Sequence, residues 1–135
     1  MKTIIASLVA LGTIGASAPA FADKCKNPTV KIVNKRTKEA AVKVSKIDYY
    51  DGCEGKWRTE SLDNKEIEKG KSASWSDDLE YVEGCKISKF KVYRALRNTT
   101  GSAYGDYAYG AELVPNEGAN QVCGSTKTYT IELHD

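Results

Sequence analysis

The chain is short of the residues from which most catalytic sites are built. Among 135 residues there is one histidine, His134, beside the end of the chain. A general base has to be held by its surroundings, and a chain end is the part of a fold least held, so His134 reads as a solvated tail residue. The sequence has no H-E-x-x-H, no Walker loop, no G-x-S-x-G and no dinucleotide fingerprint. Its four cysteines contain no C-x-x-C, so a zinc site would need four scattered thiolates. An excess of one charge is lacking too, because 20 basic side chains face 18 acidic ones. Binding to nucleic acid rests on a surplus of cations facing phosphates, so nucleic acid is not an expected partner. No metal and no cofactor are expected.

What is present begins with an export signal. Lys2 precedes an apolar run from Ile4 to Ile14, and a small-residue stretch leads to Ala20-Phe21-Ala22, an A-x-A cleavage site. The run is well short of the ~20 apolar residues that cross a bilayer. Residues 1–22 are therefore expected to be a cleaved signal peptide of bacterial type, and 23–135 a single secreted or periplasmic domain. Charged Asp23 and Lys24 before Cys25 argue against lipid attachment there.

In an oxidising compartment Cys25, Cys53, Cys85 and Cys123 make sense as two disulfides that reinforce a small core. Three pairings are available. We expect Cys53 with Cys85, since both sit in glycine turns, and Cys25 with Cys123, which would pin the two ends of the mature chain together.

The body of the chain alternates apolar and polar residues with period two, broken by Gly, Asn, Asp and Pro. Val30-Lys31-Ile32, Val42-Lys43-Val44, Trp57-Arg58-Thr59, Ala73 to Trp75, Ile87 to Ala95, Tyr107 to Leu113 and Tyr129 to Leu133 all read this way. Apolar residues are even-numbered at Val42 and Val44 but odd-numbered at Ile47 and Tyr49, a slip that predicts a β-bulge near Ser45-Lys46. Asp63 to Gly70 reads as a connection anchored by Ile67. The expected fold is all-β, a small disulfide-stabilised sandwich or barrel of about eight short antiparallel strands.

Acidic residues gather at Asp48, Asp51 and Glu54 and again at Asp77, Asp78 and Glu80. Asp and Gly favour turns for backbone reasons, and neither group has calcium-loop spacing. Aromatic residues are the more suggestive feature. A rigid Tyr or Trp offers large contact area with two torsions to freeze. Tyr109, Tyr129, Trp57 and Trp75 read as core, whereas Tyr50, Tyr104 and Tyr107 are the candidate ligand-binding residues. Lys31, Lys43, Lys46, Lys86, Lys89, Lys91 and Arg94 fall on expected outward faces. They would keep sheet edges soluble or, if clustered, meet an anionic surface such as lipopolysaccharide or lipid headgroups. Asn98-Thr99-Thr100 is a glycosylation acceptor only in a eukaryotic secretory pathway.

Thr29-Val30-Lys31-Ile32-Val33-Asn34, a strand closing on Asn before a second strand, resembles the opening of several secreted β-sandwich families, among them the aegerolysins. That resemblance implies a small lipid-binding protein in peripheral contact with membranes, and it transfers no functional residue. The first expectation is a non-enzymatic module that binds a glycan, an envelope component or a protein. The alternatives are an aegerolysin-like membrane-lipid binder and a small hydrolase with two carboxylates converging in a cleft.

Overall fold

A computed structural model describes residues 24–135, and the expected signal segment lies outside them. Eight strands follow in order: β1 (Thr29–Asn34), β2 (Glu39–Asp51), β3 (Lys56–Glu68), β4 (Ser72–Ser76), β5 (Lys86–Asn98), β6 (Ala108–Tyr109), β7 (Gln121–Val122) and β8 (Thr128–Leu133). They form two sheets, β4-β1-β8 and β3-β2-β5-β6, with β7 also pairing β5. The sheets face each other as a sandwich. One pair departs from the antiparallel expectation, since β1 and β8 run parallel. Three strands, β2, β3 and β5, are 13 residues long and not short.

Alternation explains the core. Val30 and Ile32 on β1, Trp75 on β4, and Tyr129, Ile131 and Leu133 on β8 point inward. They meet Val42, Val44, Ile47 and Tyr49 of β2 and Ile87, Phe90 and Val92 of β5. The Phe90 and Tyr129 rings lie 5.2 Å apart in this core. The slip in β2 is a bulge between Val44 and Lys46, seen in the pairing with both β3 and β5. Asp63 to Gly70, expected to connect, instead continues β3 as far as Glu68. Ile67 is nevertheless the buried anchor expected, 1% exposed. Period two is interrupted there because four residues of β3 advance against two of β2, which hides the strand from a pattern read along one chain.

Both disulfides have the expected pairing, Cys25–Cys123 and Cys53–Cys85. Two such bridges fit an oxidising compartment, extracellular or periplasmic. Cys25 also exchanges two backbone hydrogen bonds with Leu79, 2.8 and 2.9 Å, so the start of the domain is held at two points.

The turn that carries Cys53 is organised by Asp51, which is wholly buried. Its carboxylate accepts hydrogen bonds from the Cys53 amide at 2.8 Å, the Glu54 amide at 3.2 Å and Arg58 Nε at 2.8 Å. Burial opposes ionisation, but the Arg58 guanidinium and the two amides outweigh it and hold the carboxyl below its ordinary value. Gly52 is required here, because a Cβ would sit 2.6 Å from the Lys86 carbonyl oxygen.

Asp77, Asp78 and Glu80 lie near Glu60, whose pairing opposite Ile47 directs it to the inner side of β3. Partial burial first, and then the charges of Asp77, Glu80 and Asp78, push the Glu60 carboxyl up to about 6. A carboxyl raised on folding binds its proton more tightly in the native state, so its ionisation lowers stability as pH rises from about 4.5 to about 6. Glu60→Gln should therefore stabilise the domain at pH 7.5 by ~0.5–1 kcal/mol, after discounting for solvent screening, and have little effect near pH 4. Urea midpoints at the two pH values check this; an equal difference at both would contradict it.

Candidate cationic sheet face

The large sheet has an inner face in the core and an outer face turned away from the smaller sheet. Because of the bulge, β2 directs Lys43, Lys46, Asp48 and Tyr50 outward. Their partners across the ladder on β5 are Ala95 for Lys43, Tyr93 for Lys46 and Lys91 for Asp48. On β3, Trp57 pairs Tyr50, Thr59 pairs Asp48 and Ser61 pairs Lys46. The segment after β5 then folds back along its free edge. An isolated bridge joins Arg97 to Tyr104, and β6 pairs Tyr109 with Tyr93.

Side chains that are scattered in sequence thus interleave cation with ring. At one end, Tyr50 and Trp57 meet edge to face with centroids 5.4 Å apart. Lys89 Nζ lies 4.7 Å from the Tyr50 ring centre, and Lys91 Nζ lies 4.4 Å from that of Trp57. In the middle, Tyr93 stacks on Tyr107 at 5.3 Å and tilts against Tyr109 at 4.9 Å. Lys46 Nζ sits 4.2 Å from the Tyr93 ring centre. At the other end, Lys43 Nζ lies 4.3 Å from the Tyr104 ring centre, with Arg97 on the same ring at 5.9 Å.

The ring quadrupole attracts an ammonium by roughly 0.5–1 kcal/mol at an exposed site without neutralising it. The rings therefore fix where the charges stand and leave them positive. Carboxylates on the face have other work. Asp48 Oδ1 accepts from Thr59 Oγ1 at 2.7 Å and from Tyr109 Oη at 2.8 Å. Glu66 accepts from Tyr104 Oη at 2.5 Å and lies 3.9 Å from Arg97. Burial, together with donation to Glu66, pushes the Tyr104 phenol up to about 12, so it stays a donor at any ordinary pH. Lys89 reaches Glu112 at 3.2 Å. Lys43, Lys46 and Lys91 form no ion pair with any described residue.

All three candidate ligand residues from the sequence, Tyr50, Tyr104 and Tyr107, lie half-buried on this one face. Two aromatics expected in the core belong to it as well. Tyr109 is 39% exposed, because only Ala108–Tyr109 pairs as a strand and the run toward Leu113 is not one continuous strand. Trp57 is half-buried on the outer side. Its sharing a face with Thr59 and Ser61 was the signal for that position. Tyr129 and Trp75 are core, as expected. Tyr93 and Arg97 are members that alternation did not single out, since their place depends on which strands flank β5.

The remaining sequence candidates do not converge here. Asp51 and Glu54 are bound to Arg58, away from Asp48. The proximity of Asp51, Cys53 and Cys85 reflects the disulfide, whose sulfurs are already bonded. Arg94 points to the inner side of β5, opposite Val44, and not outward. His134 is exposed, its ring 3.1 Å from Glu132. Compared with known proteins, the chain matches no family model, no curated protein and no solved structure.

Proposed function

We propose that this domain is an exported, non-catalytic binding module whose outer sheet face holds an acidic glycan of the cell envelope. The observation that carries this reading is the set of lysines, Lys43, Lys46 and Lys91, seated on or beside aromatic rings and paired with no carboxylate among the described residues. They occupy successive levels of the sheet, because Lys91, Tyr93 (opposite Lys46) and Ala95 (opposite Lys43) are alternate residues of β5. Two residues of strand advance ~6.6–7 Å, so the face offers one fixed positive charge at about that interval. A linear ligand with regularly spaced phosphate or carboxylate groups matches such a row. Ring edges, Ser61, Thr59 and Asn64 beside it can meet hydroxyl groups. A rigid sheet loses little entropy on binding.

The near-neutral overall charge favours this reading over indiscriminate polyanion binding, which draws on a general surplus of cations. The hexapeptide that resembles aegerolysins lies in β1, where Val30 and Ile32 face the core and the buried Asn34 donates to the Ile67 carbonyl oxygen. Half of the hexapeptide thus packs the core, while Thr29, Lys31 and Val33 alternate on its partly exposed side.

Phosphorylated lipopolysaccharide, its dephosphorylated form, anionic phospholipid vesicles and single-stranded DNA separate the readings in a salt-controlled binding assay. We expect the phosphorylated glycan to bind best, with affinity falling as salt rises. Replacing Lys43, Lys46 and Lys91 together by glutamine should weaken it ~10- to 150-fold, at ~0.5–1 kcal/mol for each partly exposed contact. Undiminished binding by the triple variant, or a preference for vesicles or DNA, would overturn the proposal.

A further inference from the structure

A cavity opens at the edge of the sandwich on the other side of β5, where the segment Gly110 to Leu113 meets the end of β8. Its volume is about 200 Å³. Val92, Leu113 and Leu133 give it an apolar floor, and Arg94 forms one wall. Arg94 is out of pattern there. It stands opposite Val44, a core position, so the ladder directs a guanidinium to the side where alternation places apolar groups.

The other charges around the cavity are already satisfied. Arg36 donates to both oxygens of Glu39, at 2.7 and 2.9 Å, and to the His134 carbonyl oxygen at 2.8 Å. Asp135 accepts from the amides of Thr37 and Lys38 and from the Thr37 hydroxyl. The His134 ring lies against Glu132. Arg94 has one long contact, 3.4 Å from Nη1 to the Ala108 carbonyl oxygen, and no ion pair with a described residue. Partial burial and then the neighbouring Arg36 disfavour its charge, and Glu39 offsets them only in part. Gly110 backs the group closely, since a Cβ at that position would lie 2.7 Å from Nη1. The backbone of Gly110 thus leaves room for the guanidinium where any side chain would crowd it.

An arginine partly withdrawn from water with its fork unfilled raises the free energy of the empty protein, and a planar anion that fills the fork lowers it. We propose that this cavity binds a small carboxylate with a short apolar tail, its carboxylate on Arg94 and its tail over Val92, Leu113 and Leu133. The volume lies below that of sites for drug-sized ligands, which limits the occupant to a few heavy atoms beyond the carboxylate. The site is separate from the cationic face, and neither proposal depends on the other.

The test is a titration of the whole oxidised domain by nuclear magnetic resonance, following the Gly110 amide and the Arg94 Nε–H. Butyrate should shift both saturably. Butyramide, of the same shape but uncharged, should not, and inorganic phosphate should act more weakly for want of a tail. Arg94→Gln should weaken butyrate at least ~10-fold without lowering the melting temperature, because the charge it removes forms no ion pair with any described residue. Arg94→Lys keeps the charge but not the fork and should also bind less tightly than the native protein. The triple glutamine variant of the outer face should bind butyrate normally. Saturable shifts with butyramide, tighter binding of phosphate, no saturation with butyrate, or full retention in Arg94→Gln would each overturn the assignment.

Discussion

Replacing Cys25 and Cys123 together by alanine is expected to lower the unfolding free energy by ~3–4 kcal/mol, one of the two largest losses among the substitutions considered. The two bridges are nested: Cys25–Cys123 spans 98 positions and encloses Cys53–Cys85, which spans 32. With the inner bridge intact, the outer one closes an effective loop shorter by those 32 positions. Chain entropy for a loop of that size gives about 4.3 kcal/mol, and measured effects often fall below the model. Cys25 precedes β1 and is joined to Leu79, while Cys123 follows β7, so reduction frees both ends of the domain at once. Domains of this size have roughly 5–15 kcal/mol in hand, so the loss removes a large share of the stability. Urea denaturation checks this. A shift in midpoint corresponding to less than ~1 kcal/mol would show that the sheets alone hold the ends.

Asp51→Ala should cost ~3–5 kcal/mol, the range for removing one partner of a buried ion pair. Its carboxylate is wholly buried and Arg58 is 14% exposed, so the guanidinium would be left nearly dry with only Glu54, at 3.1 Å, to balance it. The Cys53 and Glu54 amides lose their acceptor in the same step, and the turn that presents Cys53 to Cys85 loosens. Asp51→Asn keeps the shape and one acceptor oxygen, so it should cost less than alanine. The pH dependence has a definite sign. Asp51 is held below its ordinary value in the folded state, so its contribution is present above pH ~4 and is lost as pH falls through the native pKa. The asparagine variant should therefore differ from the native protein at pH 7 and approach it in acid. A constant difference across that range would mean that the charge contributes nothing.

Several features of the fold were legible locally because their causes are local. Period two follows from the pleat, so Val42 and Val44 against Ile47 and Tyr49 disclosed both a strand and its bulge. The glycine turns around Cys53 and Cys85 pointed to their pairing, which left Cys25 for Cys123. The stretch from Asp63 to Gly70 was not legible. Its extra residues relative to β2 break the alternation, and only the neighbouring strand defines the register. The parallel pairing of β1 with β8 was equally hidden, since it joins segments a hundred residues apart.

Of the candidate site, the sequence itself determined which residues share a side of each strand, and hence that Tyr50 opposes Tyr49 and that Trp57 keeps company with Thr59 and Ser61. Which side is covered was decided only when the second sheet closed over one of them, and this is why Trp57 and Tyr109 stand outside the core. The assembly of Lys43, Lys46 and Lys91 over rings from β3, β5 and the segment beyond was likewise a tertiary outcome. Alternation is a property of one strand, whereas the neighbours of a side chain on a sheet are set by cross-strand register, and so by contacts between residues far apart in the chain.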